Sequence, residues 1–398
     1  MRIRNLTDAA AVRSAMEEFD VLGGPDFRDK YEFGASSKFY VQHNKKLYDA
    51  KSIVGAAYGY QYEGEGPLAN HEFDGGEAGA NPILRNLGFT VLSSETTTRD
   101  AEFAWRMAVW ANLVARADKR GLLSAGAVRD VGAYGGQQGV WVDTNRTKKI
   151  RAGGVAVALK HTGQDYPDEF NEDSALYHYP VTRRKGHDAA EVKAVKVAAD
   201  LELPIFAISE VGQLRRVLLG WVAGWDDQFQ RFLVSFAEEA PSRIIDRDQS
   251  DEIPFNLEGN RSHRKNRSVK VRPDQPRFKL EVIKRYGPRC PLTGTDVPEM
   301  IDGAHLRGDA DGGSSHPLNG LPMNVALHRA FDAHLFAIHP KTCEVHTLPG
   351  GPNIDRLGIT NPRLELEKMP HGDALAWRYN QWLRHNKIGA DEAVTPSQ

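Results

Sequence analysis

Ile301-Asp302-Gly303-Ala304-His305-Leu306, then Asn319-Gly320-Leu321-Pro322-Met323-Asn324, then Val325-Ala326-Leu327-His328-Arg329-Ala330-Phe331-Asp332: the reading of this chain turns on these three pieces. The first reads as a short strand and the second as another. Asp309 to His316, rich in Gly, Asp and Ser, makes the turn between them, and the third piece starts a helix. His305, Asn319 and His328 are separated by 14 and 9 residues. A neutral imidazole titrates near the working pH and can take a proton from water, which suits His305. The Asn319 amide can donate and accept without titrating. His328 can ligate a metal, and Asp332, four residues later on a helix, shares its face. Asp302 can offer an oxygen from the strand, and a hard cation prefers oxygen ligands with retained waters. An activated water, a Lewis acid and fixed geometry are what phosphodiester hydrolysis needs.

The order strand, loop, strand, helix, with Gly303-Ala304-His305-Leu306, Asn319-Gly320-Leu321 and His328 to Phe336, resembles the HNH nuclease family. Within it the text is similar to the subgroup attached to McrA-like, modification-dependent (type IV) restriction enzymes. The resemblance spans about 60 residues of the chain. It implies a ββα unit holding one divalent metal, Mg²⁺ or Mn²⁺, with Ni²⁺ or Co²⁺ as alternatives. It also implies His305, Asn319 and His328 as catalytic residues, His305 being the base. The metal would sit on His328 with Asp302 or Asp332, and the products would carry 5′-phosphate and 3′-hydroxyl ends. Two departures stand out. Many HNH sequences carry Asp or His directly before the base, where this chain has Ala304. The cysteine pairs that often brace the fold with zinc are missing, so no structural zinc is expected and Cys290 reads as a small buried hydrophobe.

Upstream, short apolar runs bounded by Gly, Asp, Asn and Pro predict strands near 139–142, 155–159, 176–179, 204–208, 217–222 and 231–236. One helix, about His187 to Asp200, interrupts them. Many short strands with one helix suggest a curled sheet or barrel. Gly139-Val140-Trp141-Val142-Asp143, Tyr177-His178-Tyr179-Pro180 and Gly220 to Asp226 resemble the PUA-like superfamily that includes SRA and EVE readers, over about Leu122 to Glu238. That resemblance implies a flipped modified base held between aromatic faces. Tyr134, Trp141, Tyr177 and Tyr179 are the pocket candidates, while Trp221 and Trp225 equally suit a core. Arg183 and Arg184 are placed to clamp phosphate.

At the front, Thr7 or Asp8 can cap a helix carrying Val12, Met16 and Phe19, followed by a hairpin turning at His43-Asn44-Lys45 and two more helices. Tyr48 to Gly55 and Phe73 to Glu77 resemble the head region of McrA-like enzymes. From Arg261 to Gly287 ten Lys/Arg face two acids. That stretch is +8 in a chain of net charge −2. Such a band suits a solvated linker or an arm that tracks a polyanion, with Arg264, Lys265 and Arg267 as phosphate contacts.

The 398 residues, 40% hydrophobic and 26% charged, describe a globular chain of two or three domains. No run approaches the roughly 18 apolar residues of a membrane span. The start lacks a secretory core, and Cys290 and Cys343 alone cannot build a disulfide framework. A cytoplasmic location is expected. The expected class is α+β multidomain: a small α/β head (1–92), a PUA/SRA-like β-barrel reader with one main helix (93–240), a charged basic linker (241–276) and a ββα-metal HNH nuclease (277–398). The expected activity is hydrolysis of double-stranded DNA carrying modified bases. A homodimer or sequential nicking would account for a cut through both strands. A reader with weak or nicking activity, or an HNH nuclease of homing or toxin type, are the competing readings.

Overall fold

A computed structural model describes residues 2–136, 139–161, 169–170, 173–182, 186–244, 251–259, 275–389 and 392. The chain divides into two compact units. One comprises residues 1–167, 180–222 and 237–240; the other comprises 168–179, 223–236 and 241–398.

In the first unit, Asp8 caps the helix Ala9–Leu22 by accepting the Ala10 amide at 2.7 Å. The apolar stripe Val12, Ala15, Met16 and Phe19 lies in one core with Ile53, Val54 and Ala57 of the helix Ala50–Gln61. The expected hairpin is present as Phe39–His43 and Lys46–Asp49, with Asn44 and Lys45 in the left-handed region. Thr90–Ser93 pairs on the other side of Phe39–His43, giving a three-stranded antiparallel sheet. Of the two further helices expected, the second breaks into a short turn, Gly76–Ala78, and Ala80–Asn86, with Gly88 at φ +86° ending it.

The long helix Arg99–Arg116 joins this head to the next sheet. Tyr40 and Leu47 share a core with Trp105, Val109 and Leu113. The Asn112 Oδ1 accepts the Leu47 amide at 2.8 Å. Gly139–Val142 runs antiparallel to Ala156–His161, which is parallel to Ile205–Val211. That strand is in turn antiparallel to the long strand Leu214–Asp226. The parallel step is made possible by a crossover carrying the helix His187–Asp200. Here the structure corrects the expectation of a barrel. Leu122–Ser124 pairs with the start of that long strand, and no pairing among the described residues closes a barrel. The architecture is mixed α/β and multidomain.

A buried ionic centre holds this unit together. Glu102 is wholly buried and accepts from Arg106 Nε at 2.6 Å, from Thr96 Oγ1 at 2.6 Å and from Arg146 Nη1. Arg106, also wholly buried, donates Nη1 to the carbonyls of Ala156 and Pro204 at 2.8 and 2.7 Å. Burial alone would raise the Glu102 carboxyl. The two guanidinium charges outweigh it and hold the group below the usual carboxylate range.

In the second unit, Ser174–His178 pairs antiparallel with Arg231–Phe236. Leu176, Phe229 and Leu233 lie in one core with Leu280, Ile283, Ile301, Leu321 and Phe331. Cys290 is fully buried in the same core. Around it stand the helix Gln275–Tyr286, the strand pair Ile301–His305 and Gly320–Asn324, the helix Val325–Asp332, a second pair Phe336–Ile338 and Val345–Thr347, and the terminal helix Gly372–Asn386. No helix among the described residues is long and apolar enough to cross a membrane.

Glu102→Ala would leave the Arg106 and Arg146 charges without their shared carboxylate, a loss of about 3–5 kcal/mol. Chemical denaturation of the purified chain measures it, and an unchanged midpoint would mean that the centre contributes nothing net.

Candidate nuclease site

The strand pair sets the frame. Ile301 faces Asn324, Asp302 faces Met323 and His305 faces Gly320. Asn324 ends the second strand and at once caps the following helix, its Oδ1 accepting the Ala326 and Leu327 amides at 2.9 and 3.4 Å. One residue thus turns strand into helix and brings His328 around within the first turns. The helix Gln275–Tyr286 lies against the pair at its two glycines. A Cβ on Gly320 would stand 2.4 Å from Phe278 Cζ and 2.7 Å from Val282 Cγ2. One on Gly303 would stand 2.9 Å from the Cα of Lys279. Only glycine admits the helix so closely.

Three of the expected residues converge around one imidazole. His328 Nδ1 is 3.3 Å from Asp302 Oδ2, and His328 Nε2 is 3.5 Å from Asp332 Oδ2. Lys279 Nζ approaches the other Asp302 oxygen at 3.3 Å. The contact with His328 holds the Asp302 carboxyl below the usual carboxylate range, against the effect of burial, and the Lys279 charge acts in the same direction. Asp302 is therefore anionic at neutral pH. Arg378 lies 4.0 Å from Asp332 Oδ1 and its guanidinium sits 4.1 Å over the Phe331 ring.

The donor set fits a hard divalent cation with few protein ligands. Two donors that each bind Mg²⁺ at about 2.0–2.1 Å stand about 3 Å apart when they are neighbours in an octahedron, and Asp302 and His328 are 3.3 Å apart. Among the described residues no group of three or more His, Cys, Asp or Glu side chains is arranged to hold a metal on its own. Waters and phosphate oxygens would complete the shell, the usual manner of Mg²⁺.

His305 occupies the end of its strand, with its ring stacked on Phe278, centroids 3.5 Å apart and planes 8° apart. Asn319 pins the loop that follows His305. It is fully buried, its Nδ2 donates to the carbonyls of Arg307 and Ser314 at 2.9 and 2.7 Å, and its Oδ1 accepts the Arg307 amide at 3.0 Å. Phe278 and Lys279 were not singled out from sequence. They sit in the stretch that reads as a basic arm, although Phe278, Val282 and Ile283 carry a helical apolar stripe within it.

The reader candidates fall in different places. Tyr134 and Trp141 belong to the first unit, with centroids 6.2 Å apart; the Tyr134 hydroxyl and the Trp141 indole nitrogen are buried without a hydrogen-bond partner. Tyr177 and Tyr179 belong to the second unit. Tyr177 is buried opposite Phe232, and Tyr179 donates its hydroxyl to Asp227 at 2.8 Å while its ring lies 4.4 Å from that of Phe232. Those two are packed among their neighbours. Arg183, Arg184, Arg264, Lys265 and Arg267 lie outside the described residues.

With this geometry in hand, comparison with known proteins is informative. A family model described as "ScoMcrA-like, N-terminal head domain" matches residues 4–93, and one described as "HNH endonuclease" matches residues 290–339. The chain therefore carries an HNH endonuclease domain, which makes it a nuclease, together with a head of the ScoMcrA-like kind. Solved structures similar to it include the "Modification dependent TagI restriction endonuclease", 18% identical with a TM-score of 0.28, over 65% of this chain and 90% of that one. Another is the "Type IV phosphorothioation-dependent restriction endonuclease ScoMcrA", 13% identical with a TM-score of 0.23, over 95% of this chain and 99% of that one. A search of curated proteins found no match.

Asn319→Ala would strip partners from two half-buried carbonyls and one amide. The loop 307–314 should loosen at a cost of about 1–3 kcal/mol. Hydrogen exchange resolved to peptides should show faster exchange in 307–314 than in the strand Gly320–Asn324; equal protection with and without Asn319 would count against the role.

Proposed function

We propose that the protein hydrolyses double-stranded DNA at a site built from His305, Asn319, His328 and Asp302, and that it acts where a modified base is held by the part of the chain preceding the nuclease. The observation that carries the reading is the approach of Asp302 from the strand to His328 on the helix, inside the segment matched by the HNH model. Under it, Asp302 is the strand-side ligand that Ala304 cannot be. His328 and Asp302 would hold a divalent cation, Mg²⁺ or Mn²⁺ by donor type, which when bound would stabilise charge developing on the phosphate oxygens. His305, its plane fixed by Phe278, takes the proton from the attacking water. Asn319 acts as a positioning residue through the loop after His305. Asp332, more exposed than Asp302, orients His328 from its other nitrogen.

For the reader, the proposal is a PUA/SRA-like module in open-sheet form with Tyr134 and Trp141 at its pocket. Two buried polar atoms without partners, on adjacent aromatic rings, are what a base edge would satisfy. The functional division follows as head 1–92, reader 93–240, basic linker 241–276 and nuclease 277–398. Ser174–His178 and Arg231–Phe236, placed in the reader by this division, pack within the compact unit of the nuclease. A homodimer would provide the two sites a double-strand cut needs.

A cleavage panel tests the proposal. Matched duplexes differing in one modification are incubated with Mg²⁺, Mn²⁺, Ni²⁺ or Co²⁺. Cutting should require the metal, stop with EDTA and favour one modified duplex. His305→Ala should lower the rate by about 10²–10⁴ while DNA affinity is kept; wild-type rates in that variant would refute the base assignment, and equal cutting of every duplex would remove the reader.

A further inference from the structure

The head is acidic overall, with ten Lys/Arg against thirteen Asp/Glu over residues 1–93. Its cations are mostly spent internally. Arg2, Arg28, Lys30, Lys38, Lys46 and Arg85 all face carboxylates. Lys51 donates to the carbonyl and side chain of Asn70. Among the described residues that leaves Arg4, Arg13 and Lys45 with neither an ion pair nor a side-chain hydrogen bond. Two of these three, Arg13 and Lys45, meet at one hollow of about 470 Å³. It lies at the end of the three-stranded sheet, where the hairpin tip His43-Asn44-Lys45 comes beside Leu87 to Thr90 and the helix Ala9–Leu22. No carboxylate lines it, and His43 and Gln42 add further donors. The tip is preset by its backbone, with Asn44 and Lys45 at φ +48° and +63°, and His43 rests edge-on against Phe89 at 5.7 Å.

A net-negative module that pairs off most of its lysines and arginines and gathers two unpaired ones around a concavity has the electrostatics of an oxyanion site. We infer that this hollow receives a phosphate of the DNA backbone, so that the head grips substrate without reading its sequence. The inference rests on the proposal that the chain acts on DNA. A hollow this open, with donors on separate elements, suits a backbone phosphate presented by a rigid duplex.

The salt dependence of binding is the test, since each phosphate neutralised contributes about 0.9 to the slope of log K against log salt. The full-length chain is titrated with an unmodified 30-base-pair duplex in EDTA, where no cutting occurs, at several salt concentrations. Arg13→Ala with Lys45→Ala should lower the slope by about 1 relative to wild type, the share of one phosphate. Arg4→Ala, at the unpaired cation away from the hollow, should leave it unchanged. All three side chains are exposed, and thermal unfolding confirms that the variants fold. A wild-type slope in the double variant, or an equal fall with Arg4→Ala, overturns the inference while sparing the nuclease. A wild-type chain that binds no DNA overturns both.

Discussion

The close seating of the helix Gln275–Tyr286 on the strand pair is the constraint from which the nuclease site follows. It is permitted at two positions, Gly303 and Gly320, where any side chain would run into the helix. Filling either would force the backbone apart, an overpacking cost of about 1–3 kcal/mol. Seated there, the helix presents Phe278 flat beneath His305 and Lys279 beside Asp302. Consecutive residues on one helix therefore fix the plane of one functional group and the charge environment of another. The candidate site is assembled across about 50 residues of sequence, but its tolerance is set by two missing methyl groups.

Two charged centres in this chain show why a shifted carboxyl does not by itself mark chemistry. Glu102 is held below its usual range, yet it is wholly enclosed and its bonds go to Arg106, Arg146 and Thr96, so nothing can reach it. Asp302 is shifted in the same direction, but its side chain remains 35% exposed and it faces an imidazole and an ammonium at distances longer than good hydrogen bonds. In the first arrangement the carboxylate is fully engaged and closed off. The second is loose in the way expected of groups that complete their contacts with a further partner.

Local structure was legible in the sequence wherever period and cap agreed. The helix after Asp8, the hairpin at Asn44-Lys45, the helix His187–Asp200 and the strand-strand-helix order at 301–332 all appear close to where the pattern puts them. What failed was long-range closure. Short apolar runs specify strands but not whether the edges of a sheet meet, and among the described residues no closed barrel is found. The faces of Ser174–His178 were equally hidden, because all five residues are buried and no alternation marks one side. Phe278 and Lys279 escaped notice for a different reason. Dense charge conceals an amphipathic helix when its polar face is crowded with lysine and arginine, and the stripe Phe278, Val282 and Ile283 is visible only if the charges are set aside.

Ala304 is the departure most informative about how the site is organised. Strand residues alternate, so 302 and 304 share a face, and moving a carboxylate from one to the other shifts it about 6–7 Å along the strand without turning it over. Such a shift would strand the group unless something met it there. His328 does so from the helix capped by Asn324, at 3.3 Å. The displaced carboxylate also comes under the helix Gln275–Tyr286, where an unopposed negative charge with an apolar core behind it would be costly, and Lys279 supplies the opposing charge. In the proposed assignment the ligand position and the lysine are thus one change rather than two. A carboxylate two residues further from the base requires a cation on the helix that covers it.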